Sequence, residues 1–287
     1  MHGEEHPMRI MVVGATGVLG RHTVPRLLER GHHVRAIVRD PAQAARFRSL
    51  GAEPVPGDIL DAASMRNAVA GCDVALHLAT AIPKPGGVQD WSRNDRVRRE
   101  GTQNLLAACR QAGVRRYIQQ STAFLYDPSG ATPADEDTPL RPHPFLQSTL
   151  DMEQLVQSSP LDWCMLRGGC FYGPGTFEDA WRDAARQGRL QLPGDGSAFL
   201  SLIHVVDMAR AVVLAAEHAP ACHIYNVVDD YPVTYQELFC YLAAQEQGSP
   251  PTPGGPVFLP SFRCRNDRLK AAFAWLPAYP TYRSGLA

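Results

Sequence analysis

Residues 9–20 read RIMVVGATGVLG, and the fold follows from this stretch. Residues 9–13 have the apolar, β-branched character of a buried strand. Gly14, Gly17 and Gly20 follow at three-residue spacing, and from Val18 the pattern turns helical as far as Arg30, with Gly31 to close it. A strand that feeds a helix through so tight a turn needs freedom of backbone at its first glycine. The second glycine lets peptide N–H groups approach a phosphate, and the third lets helix pack close on strand. The helix N-terminus adds positive partial charge. Gly14, Thr16, Gly17, Val18, Leu19 and Gly20 are therefore expected to cradle the pyrophosphate of a dinucleotide.

Outward from that loop, strand and helix signals alternate. Strands are expected at residues 34–38, around Val55, and at 74–78, 117–120 and 163–166. Helices are expected at 41–49, after Asp61, at 97–112 and at 145–157. Parallel strands need crossover helices, so this alternation predicts an α/β fold with a doubly wound parallel sheet of the Rossmann kind. Past Gly168 the rhythm changes: Gly173, Pro174 and Gly175 break the chain, and Gly194-Asp195-Gly196 makes a turn. Thr234 and Glu237 stand at capping-box spacing before a last helix. Residues 248–260, dense in Pro and Gly, read as a loop or linker. The expected organisation is a disordered lead-in at 1–8, a dinucleotide-binding domain at 9–168, and a smaller mixed C-terminal substrate lobe at 169–287 with segments returning to the sheet.

Composition excludes several classes. With 28 Lys and Arg against 29 Asp and Glu, no global field recruits nucleic acid. No apolar run reaches membrane-spanning length, and the first residues lack the apolar stretch of a secretory signal. Seven cysteines (72, 109, 164, 170, 222, 240, 264) form no C-x-x-C pair. That pattern predicts reduced thiols in the cytoplasm, with no metal site and no disulfide framework. A small-molecule substrate is the expected partner, and a homodimer is compatible with the composition.

Which dinucleotide binds turns on the end of the second strand. An acid there would bond the adenosine ribose, whereas Arg would pair with a 2′-phosphate. Asp40 precedes Pro41 at a helix start, so N-capping is its simpler role, and Arg39 then faces the ribose, with Arg35 or Arg21 as helpers. NADP(H) is expected over NAD(H). Asp58 and Ile59 are placed to meet the adenine, and Leu78, Ala79 and Thr80 to pass under the cofactor.

The chain resembles the short-chain dehydrogenase/reductase superfamily in its extended or atypical, epimerase/dehydratase-like branch. The resemblance rests on the glycine loop, Gly57-Asp58-Ile59-Leu60, His77-Leu78-Ala79, Gly101 through Leu106, Ser121 through Tyr126, and Leu166-Arg167 through Gly175. Ser201–Asp207, Asn226-Val227 and residues 279–286 look like its C-terminal lobe. It implies a Tyr-x-x-x-Lys pair on the helix after the fifth strand, the Tyr as acid/base and the Lys as the cation that lowers its pKa and holds the nicotinamide ribose. Alignment through Met152-Glu153-Gln154-Leu155 puts Phe145 and Thr149 at those two positions, and no Tyr or Lys lies between Asp127 and Arg167. The superfamily's hydroxyl position survives as Thr122, beside Ser121.

The candidates for the missing acid/base work are Thr122, Tyr126, Ser121 and His143. Tyr126 and Tyr172 can equally be packing aromatics with a tethered hydroxyl, and His143 and Lys84 solvated loop residues. Lys84, Phe145, Thr149, Cys170 and Tyr172 are the expected pocket residues. His77 and His204 read as satisfied core histidines, and Arg93, Arg96, Arg98 and Arg99 as a solvated helix face whose start can touch the cofactor or an anionic substrate. The function expected is an NADP(H)-dependent atypical short-chain reductase of a small or medium organic substrate. The rival readings are a sugar-nucleotide epimerase or dehydratase, a non-redox cyclase, lyase or isomerase on the same scaffold, and a non-catalytic NADP(H)-sensing protein.

Overall fold

The structure is a computed structural model that describes residues 6–83, 90–127, 132–257 and 259–286. Residues 1–5 of the expected lead-in and Lys84 lie outside the described residues. The chain divides into two compact units. The first comprises Met1–Ser121, Gln147–Leu166 and Ala209–Ile224; the second comprises Thr122–Leu146, Arg167–Met208 and Tyr225–Ala287.

The expected α/β alternation is present. In order come β1 (Arg9–Val13), α1 (Val18–Glu29), β2 (His33–Val38), α2 (Ala44–Leu50), β3 (Glu53–Pro56), α3 (Ala62–Val69) and β4 (Val74–His77). Then follow α4 (Ser92–Arg96), a π-helical segment (Val97–Gly101), α5 (Thr102–Ala112), β5 (Arg116–Thr122), α6 (Gln147–Gln157) and β6 (Asp162–Gly168). The central sheet has strand order β3-β2-β1-β4-β5-β6-β11, the last being His223–Val227, a strand the sequence pattern did not show. Its register is parallel throughout β3-β2-β1-β4-β5, with Met11 opposite both Arg35 and Ala75. The order reverses at β1, whose neighbours are β2 and β4, and ligands of open α/β sheets bind at the carboxyl ends beside such a reversal. Met11, Val13, Leu105, Tyr117, Val156 and Met165 belong to one buried cluster between sheet and helices.

The second unit holds β7 (Cys170–Tyr172), α7 (Glu178–Arg186), β8 (Gln191–Pro193), β9 (Phe199–Leu200) and β10 (Leu202–His204), with the start of α8 (Val205–His218). β12 (Val233–Thr234), α9 (Tyr235–Gln245), β13 (Thr252–Gly255), α10 (Asp267–Phe273) and α11 (Tyr282–Gly285) complete it. Thr234 and Glu237 form the expected capping box. Tyr172, Leu200, Leu238, Phe239, Leu242 and Tyr282 anchor its own core. The fully buried Asp207 carboxylate accepts from the Ala278 and Tyr279 amides at 2.9 and 2.8 Å. Hydrogen bonds of this charged kind contribute about 1.5–3 kcal/mol each.

Four local expectations need correction. Residues 248–260 are not wholly loop: β13 pairs in parallel with β8 through bonds at Thr252, Gly254 and Gly255, so Pro253 need donate nothing. The fourth crossover starts at Ser92 rather than residue 97, because its charged first turn hides helical periodicity, and it runs through the π segment. Phe145 lies on a 3₁₀ turn, Pro144–Leu146, that leads into α6 instead of on α6 itself. His204 is satisfied, its Nδ1 accepting from the Val206 amide at 3.3 Å, but His77 is not. Among the described residues neither His77 ring nitrogen has a hydrogen-bond partner.

Burial pushes the His77 pKa down from 6.5 to about 4; the Val97 backbone beside it offsets this only in part, without hydrogen-bond geometry. The unfolded chain therefore takes up a proton before the folded one does. Stability contributed by neutral His77 is lost as pH falls from 6.5 towards 4, by about 2–3 kcal/mol in total. His77→Leu is expected to lose less stability over that interval than the parent protein. Urea unfolding measured across the same pH series checks this, and parallel curves for the two proteins would refute it.

Candidate functional site

The glycine loop is built by backbone contact. Gly14 has φ +88°, and a Cβ there would lie 2.5 Å from the Leu78 carbonyl carbon. A Cβ at Gly20 would collide with the Gly14 carbonyl oxygen and with Ala15. Gly17, exposed, is the N-cap of α1 and offers no side chain to its free N–H groups. Thr16 and Val18 flank it half-buried, while Leu19 is buried beneath the helix. An uncapped helix start behind a turn open to its backbone is what a dinucleotide pyrophosphate requires, so the residues present fit that group.

Around the loop, Asp40 caps the turn after β2, its Oδ1 accepting from the Ala42 amide at 2.9 Å with Pro41 at the first position. Arg39 beside it is exposed. Arg35 is engaged elsewhere, on Glu53 and on the Ala68 and Ala70 carbonyls at the end of α3, and Arg21 bonds the Thr16 carbonyl at 2.9 Å. Asp58 accepts from the Leu60 amide and faces Arg93 at 3.4 Å. Ile59 and Leu78 are buried, Ala79 is half-buried and Thr80 exposed.

In the same unit, Ser121 at the end of β5 donates a 2.6 Å hydrogen bond to the buried Glu153 carboxylate on α6. Thr149 is buried on α6, and its Oγ1 has no partner among the described residues. Arg98, on the π segment that packs against α6, donates to Ser148 Oγ at 3.2 Å. Burial lowers its pKa to about 10, so it stays a cation at neutral pH. Its neighbours fit the expected solvated face better: Arg96 pairs with Glu100, and Arg99 with Asp151.

In the second unit, Thr122 Oγ1 accepts from the Phe124 amide at 3.4 Å, a bond that leaves its own proton uncommitted. Tyr126 is buried; its hydroxyl donates to Asn226 at 2.6 Å and accepts from Arg167 at 2.9 Å. Tyr172 is buried too and donates to the Thr281 carbonyl at 3.2 Å. Burial raises both phenol pKa values, which with the tethered hydroxyls suits packing better than proton transfer. Cys170 is buried, its thiol pushed up to about 12. His143 is exposed, its ring 5.0 Å from that of the half-buried Phe145.

A family profile described as NAD(P)H-binding matches residues 14–219. The chain belongs to that family. It is an NAD(P)-binding oxidoreductase of the short-chain dehydrogenase/reductase superfamily, with the fold of the extended epimerase/dehydratase branch. It is 34% identical to a 3-diazoavenalumate denitrifying reductase of Streptomyces sp., over 97% of this chain and 99% of that one. It is 31% identical to a 2-alkyl-3-oxoalkanoate reductase of Stenotrophomonas maltophilia, over 83% of this chain and 75% of that one. Among solved structures, a dTDP-glucose 4,6-dehydratase of Streptomyces venezuelae with NAD bound superposes with TM-score 0.86 at 22% identity, covering 98% and 95% of the two chains. UDP-glucose 4-epimerase of Thermus thermophilus in complex with NAD does so with TM-score 0.81 at 26% identity, covering 97% and 96%.

In this oxidoreductase two residues, one on α6 and one on the π segment packed against it, escaped the sequence reading. Glu153 served there only to set the alignment, and Arg98 was grouped with a solvated face. Spacing carries a signal for Arg98: it falls four residues after Asn94 and four before Thr102, both buried, unlike Arg96 and Arg99. Among the described residues no cluster of His, Cys, Asp and Glu can hold a metal, no cysteine is paired, and no helix is long and apolar enough to cross a membrane.

Gly17 gives the cleanest test of the cradle. A Cβ there meets only the Gly14 carbonyl oxygen, at 3.2 Å, so the fold can adjust while the approach to the helix start is blocked. Gly17→Val is expected to stay folded and to lose the rise in melting temperature that NADPH gives the parent protein. An unchanged rise would remove the loop from the cofactor site.

Proposed function

We propose that this oxidoreductase is an NADP(H)-dependent reductase of a small or medium organic carboxylate, and that it serves a hydride transfer with no proton donor of the Tyr/Lys kind. The supporting observation is the pair Phe145 and Thr149 at the aligned Tyr and Lys positions. Phe has no proton to give and Thr no charge, while Tyr126 and Tyr172 hold their hydroxyls in internal hydrogen bonds. Two similar reductases are named for carboxylates, one of them a diazo compound whose reaction is denitrifying.

A diazonium-bearing carbon suits this residue set. When bound, the reduced nicotinamide would supply a hydride that forms the new C–H bond while the C–N electron pair leaves on dinitrogen, with no proton moved. The protein then needs to bind, orient and exclude water. The glycine loop would hold the pyrophosphate, Arg39 the 2′-phosphate, and Asp58 with Ile59 the adenine end. Thr122 supports a second reading, reduction of a 3-oxo acid. Its hydroxyl proton is available to a substrate oxygen, and loss of such a donor costs about 10²-fold in rate.

Cofactor choice is tested at Arg39. NADPH is expected to bind more tightly than NADH, and Arg39→Ala to reduce that preference about tenfold or more, the contribution of a charge-assisted phosphate contact. Equal affinity of the parent protein for both, by calorimetry, would overturn the NADP(H) assignment.

Reaction choice is tested by mixing the protein and NADPH with an aromatic diazonium carboxylate and, separately, with a 2-alkyl-3-oxo acid. The first reading expects one dinitrogen released per NADPH oxidised and a pH–rate profile with no limb that vanishes in Phe145→Ala. Turnover of the oxo acid alone, lost in Thr122→Val, would replace it with ketone reduction. Conversion of either compound to a product of unchanged mass at constant NADPH would mark a non-redox enzyme.

A further inference from the structure

Arg98 is a half-buried cation whose hydrogen-bond partner, among the described residues, is a neutral serine hydroxyl. No carboxylate forms an ion pair with it among those residues; Asp95 attracts it and Arg99 repels it without contact. Partly withdrawing a guanidinium from water is costly unless acceptors replace the lost hydration, and one neutral hydroxyl replaces little of it. The next residue after Ser148 is Thr149, buried with an orphaned hydroxyl. Four residues before Arg98, Asn94 is buried as well. Its Oδ1 fixes the Ala81 amide at 2.9 Å, and its Nδ2 is unpartnered among the described residues. The cation also sits on a five-residue π turn in an otherwise α-helical crossover, an irregularity found frequently at functional sites. Donors and acceptors left open together on two packed helices describe a site for a polyhydroxylated ligand.

We infer that Arg98 is a positioning residue for the cofactor, donating to the hydroxyls of the nicotinamide-side ribose and supplying from the π segment the cation that α6 lacks at Thr149. The inference rests on the dinucleotide reading given above. A vicinal diol both donates and accepts, so it suits a guanidinium fork flanked by the Ser148 and Thr149 hydroxyls. A lysine reaching from α6 and an arginine reaching from the neighbouring helix are alternative ways to place one positive charge there. On the π turn Arg98 meets the neutral Ser148 of α6, whereas Arg96 pairs with Glu100 on its own helix and Arg99 with the Asp151 carboxylate of α6.

The test compares a whole dinucleotide with its adenosine half, since only the former carries the second ribose. Calorimetry with NADPH and with adenosine 2′,5′-bisphosphate is expected to show Arg98→Gln binding NADPH about tenfold or more weakly, as for loss of a charge-assisted contact, with the half-nucleotide unaffected. Adding Thr149→Lys to Arg98→Gln is expected to recover part of the NADPH affinity, which a merely structural arginine would not allow. Arg98→Lys keeps the charge and is expected to fall between parent and Arg98→Gln for NADPH alone, so the question survives if the Gln variant does not fold. Equal weakening of both ligands, or unchanged NADPH binding, overturns the inference. Unchanged NADPH binding with a raised KM for a carboxylate substrate assigns Arg98 to the substrate instead. If the parent protein binds neither nucleotide, the cofactor reading itself falls, and this inference with it.

Discussion

The approach of two backbones, the turn after β1 and the end of β4, is the constraint on which the dinucleotide-binding unit depends. The Leu78 amide donates to the Val13 carbonyl at 2.9 Å, extending the β1–β4 ladder by one residue beyond the strands. That brings the Leu78–Ala79 peptide so close to Gly14 that no Cβ fits between them. Gly20 then lets α1 settle on the same turn. The order reversal of the sheet lies at this junction, so the contact that closes the fold also opens the helix start to an anion. Any side chain at Gly14 would meet a positive φ and a neighbouring peptide together, two costs that cannot both relax.

Much of this was legible because it is local. The glycine spacing, the Asp40 cap and the Thr234–Glu237 box are each read within a few residues, and each forms as read. The misreadings arise where a partner remote in sequence decides. β13 exists because Gln191–Pro193 offers an edge whose hydrogen bonds avoid Pro253, and β11 because β6 had a free side. Composition alone marks the first as loop and leaves the second unseen. His77 shows the same limit from the other direction: an apolar strand correctly implies burial, but whether a buried ring finds a partner depends on side chains from other elements.

The helical crossover from Ser92 to Ala112 shows how little an arginine-rich run reveals by itself. Arg96 pairs with Glu100 on its own helix and Arg99 with Asp151 on α6, and solvent screens such pairs so that they contribute little. Arg98 differs from them through one turn of helix geometry and not through its chemistry. Its helical phase matches Asn94 and Thr102, and the π segment sets the angle at which it meets α6. Residue type is thus a weaker guide here than phase.

Ser121 and Thr122, adjacent on β5, divide the work that strand alternation imposes on them. Ser121 is turned to α6 and spends its proton on Glu153, whereas Thr122 caps the short 3₁₀ turn after the strand by accepting from Phe124. Only the second arrangement leaves a hydroxyl proton to offer. Thr122 is a neutral hydroxyl, a group that can donate a hydrogen bond but holds its proton at neutral pH. Under the function proposed above, where the hard step is the hydride, such a donor is all that the end of this strand need supply.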